Sequence, residues 1–430
     1  MVQWLEAQTG VAENPLPVGP ADPPVIPARK LPRLPGSTTA DPYDRLAHCR
    51  GQGLVDVIRL RCGLVPALPD AVCRPSHEGH VAEVLAEAER TRFQVIPWGG
   101  GTSVTGGVNV VAQDRPVVCL DLERMAGLMS LDEVSGLATF GPGTTGPATE
   151  ASLAEHGLTL GHFPQSWELS TVGGWVATRS AGQESLGYGR IEDMVAGVEM
   201  VSPTGRLRLP ARPASAAGPD LRHLALGSEG RLGVITSATL RVRPRPSATE
   251  VEAALVPHLD HGLEAIRDLV QADTGLTLLR LSDAEETRVA MAIGLATSSA
   301  ASLVRRYLAV RGIGDEACLI LFGASGEHES AREILQTARA VIRGHRGVSL
   351  GRGPGRHWLR DRYRHPYLRE ALLDLGWATD TFETAAPWAQ LREVHRVVGG
   401  AVSSALEAED ERVPVLCHVS HPYGDGASAY

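Results

Sequence analysis

Three stretches of this sequence combine glycines with hydroxyl side chains in a way that could hold a phosphate-bearing ligand. The first, PWGGGTSVTGG, sets Gly99, Gly100 and Gly101 between Pro97–Trp98 and Thr102–Ser103. Consecutive glycines let backbone N–H groups turn inward and approach a phosphate without Cβ obstruction, and the two hydroxyls add donors. Taken alone, three adjacent glycines suit a tight surface turn equally well. The second stretch, PQSWELSTVGGWVATRSAG, carries Ser166, Ser170 and Thr171 beside Gly173 and Gly174, then Thr178, Arg179 and Ser180. The third, LGSEGRLGVITSATL, places Glu229 and Gly230 ahead of Gly233, Val234 and Ile235 in a β-branched run. Any one could be turn chemistry; three in one α/β block are what a large dinucleotide needs. The first does not follow the spacing G-x-G-x-x-G, and SVTGGVNVV is too β-branched to open a helix. A pyrophosphate is therefore expected in a peptide nest there, not at a helix N-terminus.

A second group of reactive types lies in the last seventy residues. Arg369 sits beside Glu370 and near Asp374, and CHVSHPYGDGASAY carries His418, His421 and Tyr430. A phenol with pKa near ~10 is a poor base at neutral pH unless a neighbouring cation lowers it. Arginine is a permanent charge suited to that task and to phosphate recognition. Residue types alone leave Arg369 as a surface ion pair with Glu370 or Asp374, and Tyr430 as an ordinary strand aromatic. The two histidines read as solvent-facing or satisfied polar residues. In the basic run GRGPGRHWLRDRYRHP, Arg362 and Arg364 supply forked donors for a phosphate, with a solvated loop as the equal alternative. No metal site is expected, since adjacent Cys417 and His418 do not have ligand spacing.

The elements that must position these groups read as α/β. PDAVCRPS is a short strand, and Ser76 is the expected N-cap of HEGHVAEVLAEAERT, where Val81, Val84, Leu85 and Ala88 keep helical spacing. FQVIPW is the strand that delivers the first glycine cluster. Further strands are expected at RPVVCLDLERM, GLATFGPGT, MVAGVEMVS and GVITSATLRVRP, with a helix at ATEASLAEHG. The prolines of RPRPSA mark a boundary near residue 246. Beyond them GLEAIRDLVQA, ASLVRRYLAVRG and SAREILQTARAVIRGH are helices that alternate with strands such as CLILFGA. Before the strand at residue 71, Glu13 to Ser37 is proline-rich and reads as an extended, poorly packed lead-in, followed by a helical stretch. Three parts result: a lead-in at 1–68, a ligand-binding domain at 69–246, and a cap or substrate domain at 247–430.

With 430 residues the chain exceeds one ordinary core. Its 43% apolar and 21% charged residues are globular usage, and a net charge of −9 without a Lys/Arg-rich run argues against a nucleic-acid partner. Six scattered cysteines without a C-x-x-C pair point to a reducing compartment. No membrane span and no secretory signal are expected, which places the protein in the cytoplasm.

The three loops together resemble the flavin-binding domain of the vanillyl-alcohol-oxidase-type (PCMH-type) FAD family, over roughly Pro69 to Pro246. That resemblance implies FAD as cofactor, lying extended between two α/β subdomains, followed by a cap. Within the family the chain is most similar to the alkylglycerone-phosphate synthase group, on ELSTVGGWV, PYLRE, FETAAPW and CHVSHPYGDGASAY. The resemblance implies a redox-neutral exchange in which a fatty alcohol replaces the acyl chain of acyl-dihydroxyacetone phosphate, leaving an ether lipid. It gives Tyr430 the role of taking the alcohol's proton and puts Arg369 beside the flavin ring and substrate. Two alternatives stay open: oxidation of a small 2-hydroxy acid, and flavin binding without activity. A lipid substrate, peripheral membrane contact and a homodimer are the partners that fit. Members of the group continue well past this tyrosine through a histidine-rich HHG loop, so the cap is expected to be incomplete at Tyr430.

Overall fold

A computed structural model describes residues 2–10, 22–295 and 301–430. Short apolar runs form a first sheet of β1 (Ser37–Thr39), β2 (Ala71–Arg74), β3 (Gln94–Trp98) and β4 (Val117–Asp121), in the order β1-β2-β4-β3. Both β2 and β3 run parallel to β4. Such a parallel arrangement needs a crossover, and the helix Glu78–Thr91 supplies it. Its buried residues are Val81, Val84 and Leu85, one face at i, i+3 and i+4. Ser76 is not its cap. The N-cap is His77 without a side-chain bond, because the Ser76 hydroxyl lies 3.2 Å from His80 Nδ1.

The second sheet is antiparallel: β5 (Leu128–Asp132), β6 (Leu137–Phe140), β8 (Val195–Ser202), β9 (Gly205–Leu209) and β10 (Val234–Arg241), in the order β5-β6-β10-β8-β9. The small ribbon of β7 (Leu158–Thr159) and β11 (Arg243–Pro244) stands beside it. The helix Val172–Thr178 packs Val172, Trp175 and Val176 into this sheet's core with Phe140, Val198, Ile235 and Leu240. Val201 and Val234 join the core under the first helix, so the two sheets share a boundary.

A third, seven-stranded sheet follows, ordered β15-β12-β14-β13-β17-β18-β16. Its strands are β12 (Ala248–Val256), β13 (Leu278–Ser282), β14 (Cys318–Gly326), β15 (Val348–Gly351), β16 (Thr384–Pro387), β17 (His418–Ser420) and β18 (Gly426–Ala429), and all its pairs are antiparallel. The helices Leu259–Gln271 and His328–Gly344 bury Ala265, Ile266 and Leu269, and Ala331, Leu335, Ala338 and Ile342, against it. These spacings of three and four residues are why both helices were legible as amphipathic. The last strand is internal, paired to β17 on one side and β16 on the other.

The lead-in differs from expectation. Residues 11–21 lie outside the described residues, but from residue 22 on the proline-rich chain is anchored. Arg29 pairs with buried Asp70 at 2.9 Å, and Leu34 joins the first sheet's core. Proline prevents helix there without preventing packing, because a fixed φ lowers the entropy cost of laying an extended chain on a surface.

Candidate active site at the domain boundary

The three glycine loops, spread along the chain from Gly99 to Ile235, meet. Gly99–Ser103 follows β3 and opens no helix, as its composition predicts. A Cβ on Gly100 would overlap the Leu169 carbonyl, and one on Gly99 would strike Thr171 Oγ1, so the first loop lies directly on the second. Gly101 takes φ +67° and leaves no room for a Cβ, which would fall 2.5 Å from Trp98. The third loop packs on both. A Cβ on Gly230, at φ +76°, would lie 3.0 Å from Pro97, and Glu229 N–H donates to the Ala177 carbonyl at 2.9 Å. Gly233 leads into β10, where Val234 and Ile235 are buried. In the second loop, the Ser166 carbonyl accepts from Ser170 N–H, and Ser170 Oγ accepts from Trp175 Nε1 at 2.8 Å. Thr171 caps the helix Val172–Thr178, with Oγ1 at 3.4 Å from Gly174 N, and Gly173 N–H donates to the Pro142 carbonyl. Thr178 Oγ1 donates to the Gly174 carbonyl, Arg179 ends the helix at φ +53°, and Ser180 Oγ is 3.1 Å from His162 Nε2. Thr102 and Ser103 stay half-buried at the rim.

Tyr430 reaches this region from the cap. Its backbone exchanges hydrogen bonds with His418, at 3.0 and 3.3 Å, and its ring stacks on the His418 ring at 5.0 Å and 7°. His421, at φ +48° between β17 and β18, lies 6.0 Å from the Tyr430 ring and 2.9 Å from Ser185 Oγ through Nδ1. His418 Nδ1 is 3.2 Å from Glu286. Both histidines are satisfied polar residues, but neither faces open solvent. Burial, then Arg190, pulls His421 down to about 4, and burial, then Arg280, lowers His418. His162, wholly enclosed beside Trp175, falls to about 3 through burial and the His421 charge. All three are neutral imidazoles at neutral pH. The Tyr430 phenol is pushed up, first by burial and next by Glu383, while the downward pull of Arg190 is the weakest influence on it.

Arg369 does not serve as the cation of that phenol here. On the helix His365–Asp374 it donates to the Gln52 carbonyl at 2.6 Å and pairs with Glu370 at 3.1 Å, the ion pair that residue types alone suggest. Asp374 and Glu370 are both also held by Arg61. Arg362 is not a free phosphate fork either: it is buried against Glu184 at 2.6 Å, whereas Arg364 is exposed.

The fold is shared with known proteins. Residues 69–209 match the family described as FAD binding domain, and residues 245–430 match the C-terminal domain of FAD linked oxidases. A solved alkyldihydroxyacetonephosphate synthase superimposes with a TM-score of 0.87 at 30% identity, covering 99% of this chain and 82% of that one. The chain belongs to the alkyldihydroxyacetonephosphate synthase family. The Dictyostelium discoideum enzyme of that name is 32% identical over 92% of this chain and 66% of its own length. The Trypanosoma brucei brucei enzyme is 30% identical over 91% and 65%. The chain thus spans about two thirds of the length of these relatives. Structures such as p-cresol methylhydroxylase, at TM-score 0.66 and 14% identity, covering 91% of this chain and 79% of theirs, share the fold.

FAD is the cofactor of this family, and the residues present fit it. At Gly99, Gly100 and Gly101 an added Cβ would strike Thr171, the Leu169 carbonyl and Trp98, so this glycine run is held tightly against the second loop, with Thr102 and Ser103 half-buried beside it. Around the loops, buried side-chain atoms without a protein partner include Ser228 Oγ, His162 Nδ1, Trp167 Nε1 and Gln183 Oε1. Buried polar groups are ordinarily hydrogen-bonded, so this set of donors and acceptors fits the edges of a dinucleotide. His162, Gln183, Glu184 and Ser185 were not singled out from sequence. His162 and Gln183 each lie within two residues of the second glycine stretch, but no spacing rule marks a lone histidine or glutamine.

Proposed function

We propose that this chain carries the catalytic machinery of an FAD-dependent ether-forming exchange, in which a long-chain alcohol replaces the acyl chain of acyl-dihydroxyacetone phosphate. The chain's most informative observation for this reading is the placement of Tyr430. A phenol delivered by an internal strand is stacked on His418 and lies beside His421, and His421 in turn reaches Ser185 of the flavin-binding part, which supports a site at this boundary. FAD, when bound, would supply the chemistry for exchanging the acyl group, which leaves as the fatty-acid carboxylate, for the incoming alkoxy group. Gly99, Gly100, Gly101, Thr102 and Ser103 hold the diphosphate, with Pro97 and Gly230 fixing the loop's back. Ser166, Ser170, Thr171, Gly173, Gly174, Thr178, Arg179 and Ser180 line a second wall, and Glu229, Gly233, Val234 and Ile235 a third.

Tyr430 takes the alcohol's proton. Burial and Glu383 both oppose its phenolate, so a positive group has to approach it during turnover. Arg369 is the substrate-side cation, reached when a phosphate displaces half-exposed Glu370 from its guanidinium. Neutral His421 and His418 act as hydrogen-bonding relays at the phenol's flank and do not repel the arriving arginine. Among the described residues no helix is long and apolar enough to cross a membrane. The test is incubation of flavin-loaded protein with acyl-dihydroxyacetone phosphate and labelled hexadecanol. An alkyl ether is expected; bleaching of the flavin by D-lactate or glycolate without ether formation would overturn the reading.

A further inference from the structure

Glu184 and Ser185 stand side by side where the flavin-binding part meets the cap, and this dipeptide touches three separate cap elements. Glu184 Oε1 accepts from Arg362 Nη1 at 2.6 Å, at the end of the helix Arg352–Asp361. Its other oxygen accepts from Ser325 Oγ at 3.1 Å, on β14. Ser185 Oγ lies 2.9 Å from His421 Nδ1 and 3.2 Å from Tyr423 Oη, in the turn before β18. The guanidinium is boxed by rings from both sides of the boundary. Its carbon sits 4.7 Å from the Phe163 centroid, 4.8 Å from Tyr363 and 5.7 Å from Trp358, and Tyr363 stacks on Trp167 at 4.8 Å and 18°. Gln183 completes the contact through the Arg362 carbonyl at 3.5 Å.

We infer that the Glu184–Arg362 pair is a latch that sets the register of the cap on the flavin-binding part, and so positions His421 and Tyr430 over the flavin loops. A buried ion pair seldom adds net stability over an apolar contact, because both charges lose their hydration. It does penalise misdocking heavily, since a small slide leaves a buried charge unpaired. The planar, forked guanidinium held between rings tolerates less rotation than an apolar contact of equal size. The carboxylate that receives it is covalently next to the hydroxyl that receives His421. Any shift of Arg362 relative to Glu184 is therefore transmitted to the turn of His421 and Tyr423, which leads into the strand that delivers Tyr430. Both are positioning residues, and neither takes part in proton transfer.

The experiment compares Arg362→Met, which fills the box without charge, Glu184→Gln, which keeps shape without charge, and Arg362→Lys, all in the full chain loaded with FAD. Hydrogen exchange of peptides covering residues 418–430 is the direct readout. Both uncharged variants are expected to raise exchange there about tenfold while the sheet cores stay protected. Flavin should be retained, and ether-forming kcat should fall about tenfold to a hundredfold with KM little changed. Arg362→Lys should fall between. Unchanged exchange at 418–430 would overturn the latch, and so would a uniform rise across both parts, which marks general destabilisation. The kinetic arm rests on the proposed ether-forming reaction, whereas the exchange arm does not. A parent protein that forms no ether removes that reaction and leaves the latch to be judged by exchange.

Discussion

The glycine loops and the Tyr430 strand, the two halves of the proposed site, are built on opposite physical terms. The loops are held by what their side chains lack: backbone lies on backbone, and a single added carbon at Gly100 would overlap the Leu169 carbonyl. The Tyr430 end is held by what side chains supply, a stacked histidine, a hydroxyl shared by His421 and Tyr423, and the buried Glu184–Arg362 pair. The comparison teaches that the cofactor half tolerates no growth, whereas the cap half depends on polar partners that arrive from elsewhere.

The sharpest way to break this contrast is Gly100→Ala. Flavin retention, measured by absorbance of the purified protein, should be lost altogether, because the obstacle is backbone and cannot rotate away. Tyr430→Phe should do the reverse: flavin stays bound while ether formation drops by about a hundredfold or more, the usual scale of a lost proton-transfer group. Equal loss of flavin in both variants would erase the distinction between the two halves.

Acid offers a third, smaller test. His162 and His421 sit at about 3 and about 4, against an ordinary 6.5, with burial as the leading cause. The unfolded chain therefore binds more protons than the folded one between those values and 6.5. The stability that rests on these neutral rings is complete above about 6.5 and declines as pH falls toward 4, by a few kcal/mol. Thermal melts from pH 7.5 to 5 should show this decline, and His421→Gln should flatten it. The smallest effect is the control for the first. Gly400 lies in the helix Trp388–Glu407 with no atom near an added Cβ, so Gly400→Ala should leave flavin untouched and raise stability by up to about 1 kcal/mol in denaturant melts.

Much of the architecture could be read in advance, for local reasons. Val81, Val84 and Leu85 announce their helix by spacing, and the strand ending at Trp98 and the loop after it follow from composition within a dozen residues. The miscast N-cap at Ser76 is a local choice between two partners, decided by where the His80 ring points. Anchoring of the proline-rich lead-in depends on Asp70, forty-one positions from Arg29. The histidines read as solvent-facing or satisfied polar residues; both are satisfied and enclosed, His421 against Ser185 of the flavin-binding part and His418 against Glu286 of its own domain.

The sequence by itself determined the glycine loops, their order and the elements that carry them, because turn chemistry and hydrophobic period act over a few residues. It also marked Tyr430 and Arg369 through their motifs. Only the tertiary structure decided that Arg369 rests on Gln52 and Glu370, and that Arg362 turns to Glu184, 178 positions away. It also decided that His162 and His421 lose their charge to burial together. Those outcomes depend on how one sheet docks against another, and the free energy of docking is spread over contacts that no short window contains.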